Sequence, residues 1–153
     1  MNIKDITVGI VTFRSEKVIF KCLKSLKNIK KIIILDNSND LILKEKINKI
    51  YPHINFILSK KNNGYGSGNN KIFRLAKTSH VLVLNPDTIL SKNCINELIH
   101  QANLIKNKFA ILAPSEKNII KKEIMEVDHV KGFSMLVNLS KIKKIKMFDE
   151  NFF

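Results

Sequence analysis

The sequence predicts an α/β fold in which helices cover a mostly parallel sheet. Short apolar runs rich in β-branched residues alternate along the chain with segments whose apolar residues recur at helical spacing. The alternation continues without an internal repeat or a linker, which favours successive strand–helix units in one fold. A length of 153 residues suits one domain with a sizeable core. We therefore predict a single domain over residues 1–153.

Strands are predicted where apolar residues follow one another without alternation. The strands of a parallel sheet are covered on both faces, so they carry continuous apolar runs. The first run begins at Ile6, and the last, near Val130, follows a less regular stretch. The predicted strands cover residues 6–13, 32–35, 54–58, 81–84, 109–113 and 130–137.

Helices are predicted between these strands because apolar residues there recur at helical spacing. Ser15 and Ser91 are candidate N-caps of the first and fourth helices, since a serine hydroxyl can accept a hydrogen bond from the first turn. Residues 62–70 are rich in glycine and asparagine and are predicted as a loop before the third helix. Residues 141–146 are predicted as a basic turn or short helix. The predicted helical positions are residues 18–26, residues 42–50, Ile72, Phe73, Ala76, Ile95, Leu98, Ile99, Ala102 and Ile105.

The sequence shows no sign of export or of a membrane span. Its start lacks the apolar segment of a signal peptide, and no apolar run approaches the roughly 18–20 residues that cross a bilayer. Cys22 and Cys94 form no CxxC pair and are predicted to be reduced thiols on apolar helix faces. We therefore expect a cytoplasmic protein.

The net charge is strongly positive, at +14 from 27 Lys and Arg against 13 Asp and Glu. Such a charge suits nucleic acid or an anionic membrane. A chain this rich in Lys, Ile and Asn can equally reflect biased coding DNA, and both interpretations stay open. Aromatic residues make up 7% of the chain and Trp is absent, so no stacking surface is indicated. A basic nucleic-acid-binding domain is therefore the weaker function, and no nucleic-acid partner is expected.

Polar clusters follow three of the predicted strands. They are residues 12–14 after the first strand, 36–38 after the second and 85–87 after the fourth. In an open α/β sheet the carboxyl ends of the strands lie at one edge, where ligands bind. The glycine-rich stretch follows the third strand and falls at the same edge. This convergence favours one nucleotide-type site.

Several other kinds of site lose support. The turn after the first strand reads Thr-Phe-Arg-Ser and lacks the G-x-G-x-x-G of dinucleotide-binding folds. The sequence has no Walker A loop and no G-x-S-x-G nucleophile motif. The four histidines have no metal-ligand spacing with another histidine or a cysteine. Hydride transfer, P-loop phosphoryl transfer and serine-hydrolase chemistry are therefore not indicated.

Two aspartates at this edge carry the chemical hypothesis. Asp36 is an acceptor that can bind the N3–H of a uracil or thymine ring. Asp87 can hold Mg²⁺ or Mn²⁺ together with phosphate oxygens and water. Each aspartate also has a plain alternative as a turn residue. Asn63 and Asn69 can bind sugar hydroxyls or pin the glycine-rich stretch, and both interpretations are kept.

Six segments, in this order, resemble family 2 glycosyltransferases with a GT-A-type fold, especially the bacterial rhamnosyltransferase-like group. The segments are Thr-Val-Gly-Ile-Val-Thr-Phe, Ile-Leu-Asp-Asn-Ser, Asn-Asn-Gly-Tyr-Gly-Ser-Gly-Asn-Asn, Leu-Asn-Pro-Asp-Thr, Gly-Phe-Ser-Met-Leu-Val and Phe-Asp-Glu-Asn-Phe-Phe. The resemblance covers the whole chain and implies a Rossmann-like three-layer sandwich with a mostly parallel central sheet. It also implies transfer of a sugar, with inversion, from a UDP- or dTDP-sugar to an acceptor hydroxyl in cell-surface polysaccharide synthesis.

The resemblance further implies roles for residues at this edge. Thr12 and Phe13 would line the base pocket, and Asp36 would hold the pyrimidine ring. Asn85 and Asp87 stand where the family has its D-x-D motif for metal and diphosphate, with Asn in place of the first Asp. Mg²⁺ or Mn²⁺ held by Asp87 is the expected cofactor. The other implied donor-binding residues are Asn63, Gly64, Gly68 and Asn69.

The end of the chain departs from the family pattern. Family members continue into a Glu-Asp pair that supplies the general base, so Asp149 and Glu150 are the late carboxylates left as catalytic candidates. We expect a truncated transferase with a nucleotide-sugar-binding part over about 4–114, a partial acceptor part over about 124–153 and an incomplete acceptor half. Its expected partners are the nucleotide-sugar donor, a saccharide or lipid-linked acceptor and, peripherally, an anionic inner membrane face. A non-catalytic remnant is the remaining alternative.

Overall fold

The computed structural model describes residues 1–114, 124–145 and 147–151, and within them the chain forms one six-stranded sheet. A 3₁₀ turn at Ile3–Asp5 precedes the first strand. The strands are β1 (Ile6–Thr12), β2 (Ile32–Asp36), β3 (Asn55–Leu58), β4 (His80–Leu84), β5 (Ile111–Leu112) and β6 (Ser134–Asn138). The helices are α1 (Ile19–Ser25), α2 (Leu41–Ile50), α3 (Gly64–Leu75), α4 (Cys94–Leu104) and α5 (Leu139–Ile142).

The strands follow the order β3-β2-β1-β4-β6-β5 across the sheet. The first four strands pair in parallel, whereas β6 runs antiparallel to both β4 and β5. Thr12 lies opposite Asp36, and Leu84 lies opposite Ser134. The carboxyl ends of β1, β2 and β4 therefore share one edge of the sheet with the amino end of β6.

Helices cover both faces of the sheet, which makes three layers. On one face α1, α2 and α4 pack against strand residues such as Val8 and Ile10 in the larger apolar cluster. On the other face α3 and α5 pack against residues such as Val11 and Val83. Both faces of the central strands are thus apolar, as their continuous runs predict. The predicted α/β architecture with a mostly parallel sheet is confirmed.

The glycine-rich stretch is helical, and the prediction of a loop over residues 62–70 is wrong. Helix α3 begins at Gly64 and includes the three glycines of the stretch. A Cβ atom at Gly68 would lie 2.8 Å from both γ-carbons of Val11, and one at Gly9 would lie 2.8 Å from Cγ2 of Ile72. Close packing of α3 on β1 thus requires glycine on both elements. This packing outweighs the low helix propensity of glycine, which is about 1 kcal/mol per residue.

The predicted serine caps are also wrong. The N-cap of α1 is Val18 and that of α4 is Asn93, and neither makes a side-chain cap. The carbonyls of Ser15 and Ser91 instead accept backbone N–H groups of the first helical residues, at 3.0 and 3.1 Å. Each serine thus begins a turn ahead of its helix, and the Ser15 hydroxyl bonds to the N–H and the carbonyl of Phe13.

The remaining boundaries shift by a few residues. The predicted strand at 109–113 is reduced to Ile111–Leu112, which pairs with β6 at the edge of the sheet. The last strand begins at Ser134 and the basic segment after it contains α5, whose N-cap is Asn138. Residue 146 of that segment, and residues 152–153 at the end of the family-like segment, lie outside the described residues.

Candidate functional site

The polar clusters predicted after β1 and β2 meet at the carboxyl edge of the sheet. The N–H of Asn37 donates to the carbonyl of Thr12 at 2.8 Å, which extends the parallel ladder beyond the strands. The N–H of Arg14 donates to the hydroxyl of Ser38 at 3.1 Å. Arg14 has a φ of 50°, a left-handed conformation that is uncommon outside glycine. Direct contacts therefore join two of the three predicted clusters.

Asp36 lies at the centre of this edge and is completely buried. Its Oδ1 accepts hydrogen bonds from the hydroxyls of Thr12 at 2.8 Å and Ser38 at 2.7 Å. Its Oδ2 accepts from the N–H of Asp40 at 2.8 Å. In this arrangement a ring reaches the carboxylate only if the Ser38–Asp40 turn moves. Contact of Asp36 with a pyrimidine stays a prediction.

Phe13 offers an aromatic surface beside the buried aspartate. Its side chain is 48% exposed, and the guanidinium of Arg14 lies 5.2 Å from the ring centroid. Thr12, the other residue predicted to line the base pocket, is buried and hydrogen-bonded to the aspartate. An exposed aromatic ring at this edge can stack on a nucleobase.

Two buried amides hold the first turn of α3 and leave an oxygen without a partner. Nδ2 of Asn37 donates to the Gly64 carbonyl at 3.1 Å, and Nδ2 of Asn69 donates to the Tyr65 carbonyl at 3.0 Å. The Oδ1 atoms of both asparagines are buried and accept no hydrogen bond within the described residues. A buried unpaired acceptor costs about 1–3 kcal/mol, so both oxygens are suited to donors on a ligand.

Asn63 has a structural role that its sequence position already allowed, whereas Asn37 has a role at the edge that the sequence pattern did not indicate. Asn63 donates to the Ser59 hydroxyl at 3.0 Å and to the Lys61 carbonyl at 3.2 Å, so it pins the segment before α3. This geometry matches the structural alternative kept for it. Asn37 was not singled out by the sequence, although its position directly after Asp36 at a strand end was a usable signal.

The Asn85–Pro86–Asp87 segment forms a turn that is anchored to Phe133, the residue directly before β6. The N–H of Thr88 donates to the Asn85 carbonyl at 3.1 Å, which closes the turn. The carbonyl of Phe133 accepts from the N–H of Asn85 at 3.0 Å and from the hydroxyl of Thr88 at 3.1 Å. Asp87 itself is exposed. The turn alternative and an open carboxylate thus coexist in one segment.

Cys22 lies beneath this turn as a buried, free thiol. Its Sγ contacts the Asn85 carbonyl at 3.8 Å. Burial, and then the negative charge of Asp87, raise the pKa of Cys22 to about 12. The thiol is therefore neutral at physiological pH, and the prediction of a core thiol fits better than a nucleophile. Cys94 is also free and is half-buried.

The donor set at this edge fits a divalent cation that is shared with a phosphate ligand. Among the residues that the structure describes, no three His, Cys, Asp or Glu side chains are grouped closely enough to hold an ion. Asp87 supplies an exposed carboxylate. Mg²⁺ is commonly bound by one or two carboxylates, with substrate phosphates and water as the other ligands. The arrangement fits that mode and not a cage built from protein side chains.

The hydrogen bonds described for the two late carboxylates go to Asn151 and to residues of α3. Asp149 Oδ1 accepts hydrogen bonds from the N–H and the Nδ2 of Asn151, both at 2.9 Å. Glu150 pairs with Asn70 at 2.9 Å and Arg74 at 3.0 Å, and these hydrogen bonds lower the pKa of its carboxyl. Asn70 and Arg74 lie about 9 and 15 Å along the helix axis from its start. This placement does not favour Glu150 as a base for chemistry at the edge.

Asn70, which the sequence pattern did not indicate, fixes the segment that carries these carboxylates. Its Nδ2 donates to the carbonyl of Phe148 at 2.8 Å, and its Oδ1 accepts the N–H of Phe148 at 3.1 Å. The Phe148 ring stacks on Phe73 and meets Tyr65 edge-on, with both centroid distances 5.9 Å. Asn70 follows Asn69 in the stretch that was predicted as a loop. Because this stretch is helical, the two asparagines lie on different sides of α3.

No helix in the described part of the chain is long and apolar enough to cross a membrane.

Comparison with known proteins gives a consistent set of matches. The model of "Glycosyl transferase family 2" matches residues 7–152. A curated relative, the low-salt glycan biosynthesis hexosyltransferase Agl10 of Haloferax volcanii, is 28% identical over 97% of this chain and 57% of its own length. The family match does not favour the alternative of a basic nucleic-acid-binding domain or of a non-catalytic remnant.

Solved structures share the fold. The mannosyltransferase PcManGT from Pyrobaculum calidifontis, in complex with GDP-Man and Mn²⁺, superposes with a TM-score of 0.77 at 9% identity, covering 96% of this chain and 48% of that one. S. aureus TarS 1-349 in complex with UDP-GlcNAc gives a TM-score of 0.71 at 15% identity, covering 94% and 48%. The GT-A-type fold is thereby confirmed. The chain spans about half the length of these relatives.

Proposed function

The chain belongs to glycosyl transferase family 2, and from this we propose that it transfers a sugar from a nucleoside-diphosphate sugar to an acceptor hydroxyl. The observation that carries the proposal is the pair of buried amide oxygens, on Asn37 and Asn69, that lack a hydrogen-bond donor at the carboxyl edge. Asn37 directly follows Asp36 at the carboxyl edge, where open α/β sheets bind ligands, and its side chain holds the start of α3, the helix that carries Asn69. The rhamnosyltransferase-like subgroup stays a prediction.

We propose that the nucleoside part of the donor binds between β1 and β2. Phe13 would stack on the base, while Thr12 holds Asp36 through its hydroxyl. Asp36 would accept the N3–H of a uracil or thymine once the Ser38–Asp40 turn opens. Asn37 and Asn69 would accept ribose or sugar hydroxyls through their unpaired oxygens. A UDP- or dTDP-sugar satisfies all of these groups.

The first turn of α3 is proposed to shape the space beside the donor. Gly64 has a φ of 80°, which favours glycine, and its carbonyl is held by the side chain of Asn37. Gly68 lets α3 approach β1 so closely that no side chain fits between them. Asn63 fixes the segment that enters the helix. These contacts support a preformed wall for the donor.

We propose that Asn85 and Asp87 face the diphosphate. The exposed Asp87 carboxylate would hold Mg²⁺ or Mn²⁺ together with phosphate oxygens. When bound, the cation supplies positive charge against the charge that develops on the departing diphosphate. The chain's own contribution is positional, because Phe133 holds both ends of the turn through Asn85 and Thr88.

The acceptor is proposed to be a saccharide or a lipid-linked saccharide. Its hydroxyl oxygen forms a bond to the anomeric carbon, the bond from that carbon to the diphosphate oxygen breaks, and the hydroxyl proton passes to a base. Asp149 and Glu150 remain the candidates for this base. Of the two, Asp149 is the better supported, since Glu150 is engaged by Arg74.

We further propose a cytoplasmic location, work in cell-surface polysaccharide synthesis and peripheral contact with an anionic membrane. The two free thiols support a reducing compartment. Leu41 and Ile42 at the start of α2 are 61% and 66% exposed, and Lys46, one helical turn after Ile42, is exposed as well. Lysine beside exposed apolar side chains suits an anionic bilayer surface. Flotation with anionic liposomes at low salt should carry the protein upward. Recovery in the soluble fraction would contradict membrane contact.

Calorimetry tests the proposed donor site. The protein is titrated with UDP-N-acetylglucosamine, GDP-mannose and a dTDP-hexose, each with Mn²⁺, and saturable binding of a pyrimidine nucleotide sugar is expected. Asp87→Asn should weaken this binding at least about tenfold, since it removes a ligand of the shared cation. Glu45→Gln on the exposed face of α2 is the matched control and should bind like the wild type. No saturable binding by the wild type would overturn the proposal, and a preference for GDP-mannose would overturn the pyrimidine assignment.

A further inference from the structure

A continuous set of contacts links the terminal segment of the described chain to the turn that carries Asp87. The hydroxyl of Tyr65, in the first turn of α3, donates to the Gly132 carbonyl at 2.8 Å. The next carbonyl, that of Phe133, accepts from Asn85 and Thr88 at both ends of the turn. Tyr65 therefore holds the same short stretch of backbone that anchors the turn.

The other side of Tyr65 faces the segment that ends the described chain. Its ring meets the Phe148 ring at 5.9 Å, and Asn70 binds both the N–H and the carbonyl of Phe148. The fit is close, because a Cβ atom at Gly66 would lie 3.2 Å from both Phe148 Cβ and the Asp149 carbonyl oxygen. Helix α3 thus carries this segment, residues 147–150, on its outer face.

The stretch that Tyr65 holds depends on such anchors for its position. Residues 124–133 form neither helix nor strand, and residues 124–129 and 131 are exposed. Backbone outside the strands opens more easily than the strands do, so the Tyr65–Gly132 hydrogen bond, next to the point where Phe133 continues the β4–β6 pairing at Asn85, helps to set where the end of this stretch lies. Burial raises the pKa of Tyr65 to about 12. Its hydroxyl is therefore protonated and can donate throughout the physiological pH range.

We propose that Tyr65 is a positioning residue that couples the docked segment 147–150 to the Asn85–Thr88 turn. Through this coupling, docking of the segment on α3 sets the geometry of the turn that faces the diphosphate of a nucleoside-diphosphate sugar. The consequence for the donor rests on the proposed function. The coupling itself is a property of the free protein and is measured without any ligand.

Amide exchange by NMR tests the coupling in the free protein. Tyr65→Phe keeps the ring against Phe148 and removes the hydroxyl that binds Gly132. Loss of one hydrogen bond should speed exchange of the Asn85 N–H about two- to tenfold, while exchange in β1 stays as in the wild type. Tyr51→Phe is the matched control, since Tyr51 lies at the end of α2 and packs near His53. Unchanged exchange at Asn85 in Tyr65→Phe would overturn the proposal.

A second variant approaches the coupling from the opposite end. Asn70→Ala removes both hydrogen bonds to Phe148 and should speed exchange in residues 147–150 and at Asn85 together. Faster exchange in residues 147–150 with none at Asn85 would contradict the coupling. If Asn70→Ala fails to fold, Tyr65→Phe alone decides, because it keeps every apolar contact of the ring.

Donor binding separates this inference from the proposed function. With whichever sugar nucleotide the wild type binds in Mn²⁺, Tyr65→Phe should raise the dissociation constant about two- to tenfold and Tyr51→Phe should not. If the wild type binds none of the three nucleotides, the proposed function fails, and the exchange data still decide the coupling. If the wild type binds and Tyr65→Phe binds equally well, the consequence for the donor fails and the proposed function stands.

Discussion

Substitution of Gly68 tests the contact that makes α3 helical. An added Cβ atom at this position would lie 2.8 Å from both γ-carbons of Val11 in β1. Both partners belong to rigid elements, since Val11 is a buried strand residue and Gly68 is in the interior of the helix. Gly68→Ala therefore forces the helix and the sheet apart or distorts one of them.

The magnitude follows from two opposed effects. Alanine stabilises a helix interior relative to glycine by about 1 kcal/mol. An extra methyl group forced into a packed core costs about 1–3 kcal/mol. An approach to 2.8 Å from two atoms is shorter than real Cβ contacts, so the upper part of that range applies. We expect Gly68→Ala to lower the free energy of unfolding by about 1–2 kcal/mol.

Removal of the opposing γ-carbons should reverse the sign. In a Val11→Ala background the new methyl group has room, and Gly68→Ala should then stabilise the protein by about 0.5–1 kcal/mol. The double-mutant cycle should therefore give a coupling of about 1.5–3 kcal/mol. A coupling near zero would mean that the two residues do not meet.

Urea unfolding followed by far-ultraviolet circular dichroism measures these differences. With an m-value of about 2 kcal/mol per molar, in the middle of the usual range for small proteins, Gly68→Ala should lower the midpoint by about 0.5–1 M at constant m. A midpoint for Gly68→Ala equal to or above the wild type, with Val11 intact, would refute the steric reasoning.

Three further predictions concern Asp36, His80 and Cys22. Asp36→Asn leaves the N–H of Asp40 without its acceptor and should lower the free energy of unfolding by about 1–3 kcal/mol. Asp87→Asn, at an exposed position, should change it by less than about 0.5 kcal/mol. Equal urea midpoints for the two variants would contradict the burial of Asp36. Burial lowers the pKa of His80 below 6.5 in the folded state, so its contribution to the free energy of unfolding is full above pH 6.5 and is lost as the pH falls towards the lowered pKa. The urea midpoint should therefore drop less between pH 7.5 and 5.5 in His80→Phe than in the wild type. An equal drop would exclude His80 as the cause. Cys22 should resist iodoacetamide at pH 8 in the folded protein and react in urea, because its thiol is buried with a pKa of about 12. Rapid labelling of the folded protein at Cys22, identified by mass spectrometry, would contradict this prediction.

The parts of the fold that follow from local pattern were predictable. Strands β1, β2 and β4 carry continuous apolar runs, and alternation with helical segments indicates a parallel sheet. The meeting of the polar clusters after β1 and β2 followed as well, because the carboxyl ends of such strands lie at one edge. Residues that lie far apart in sequence, such as Thr12 and Asp36, are therefore found in direct contact.

The parts that depend on tertiary contact were not predictable from one sequence. The antiparallel entry of β6 beside β4 places Phe133 over the Asn85 turn, and no local signal shows the direction of a strand. The role of Asn70 depends on a partner 78 residues away in the sequence. The burial of Asp36 depends on Ser38 and Asp40 folding back over it. In each case the informative distance is spatial and has no counterpart in residue spacing.

Helix α3 shows why a glycine-rich stretch at a strand end need not be a phosphate-binding loop. Its glycines remove side chains on two surfaces, so β1 approaches at Gly68 and the segment of Phe148 approaches at Gly66. Its first-turn carbonyls are held by buried asparagines whose other oxygens are buried and accept no hydrogen bond within the described residues. Glycine lowers the stability of an isolated helix, but here Gly66 and Gly68 allow β1 and the segment of Phe148 to pack directly on α3. A substitution at Gly66 or Gly68 should consequently weaken donor binding, even though neither residue has a side chain that contacts the donor.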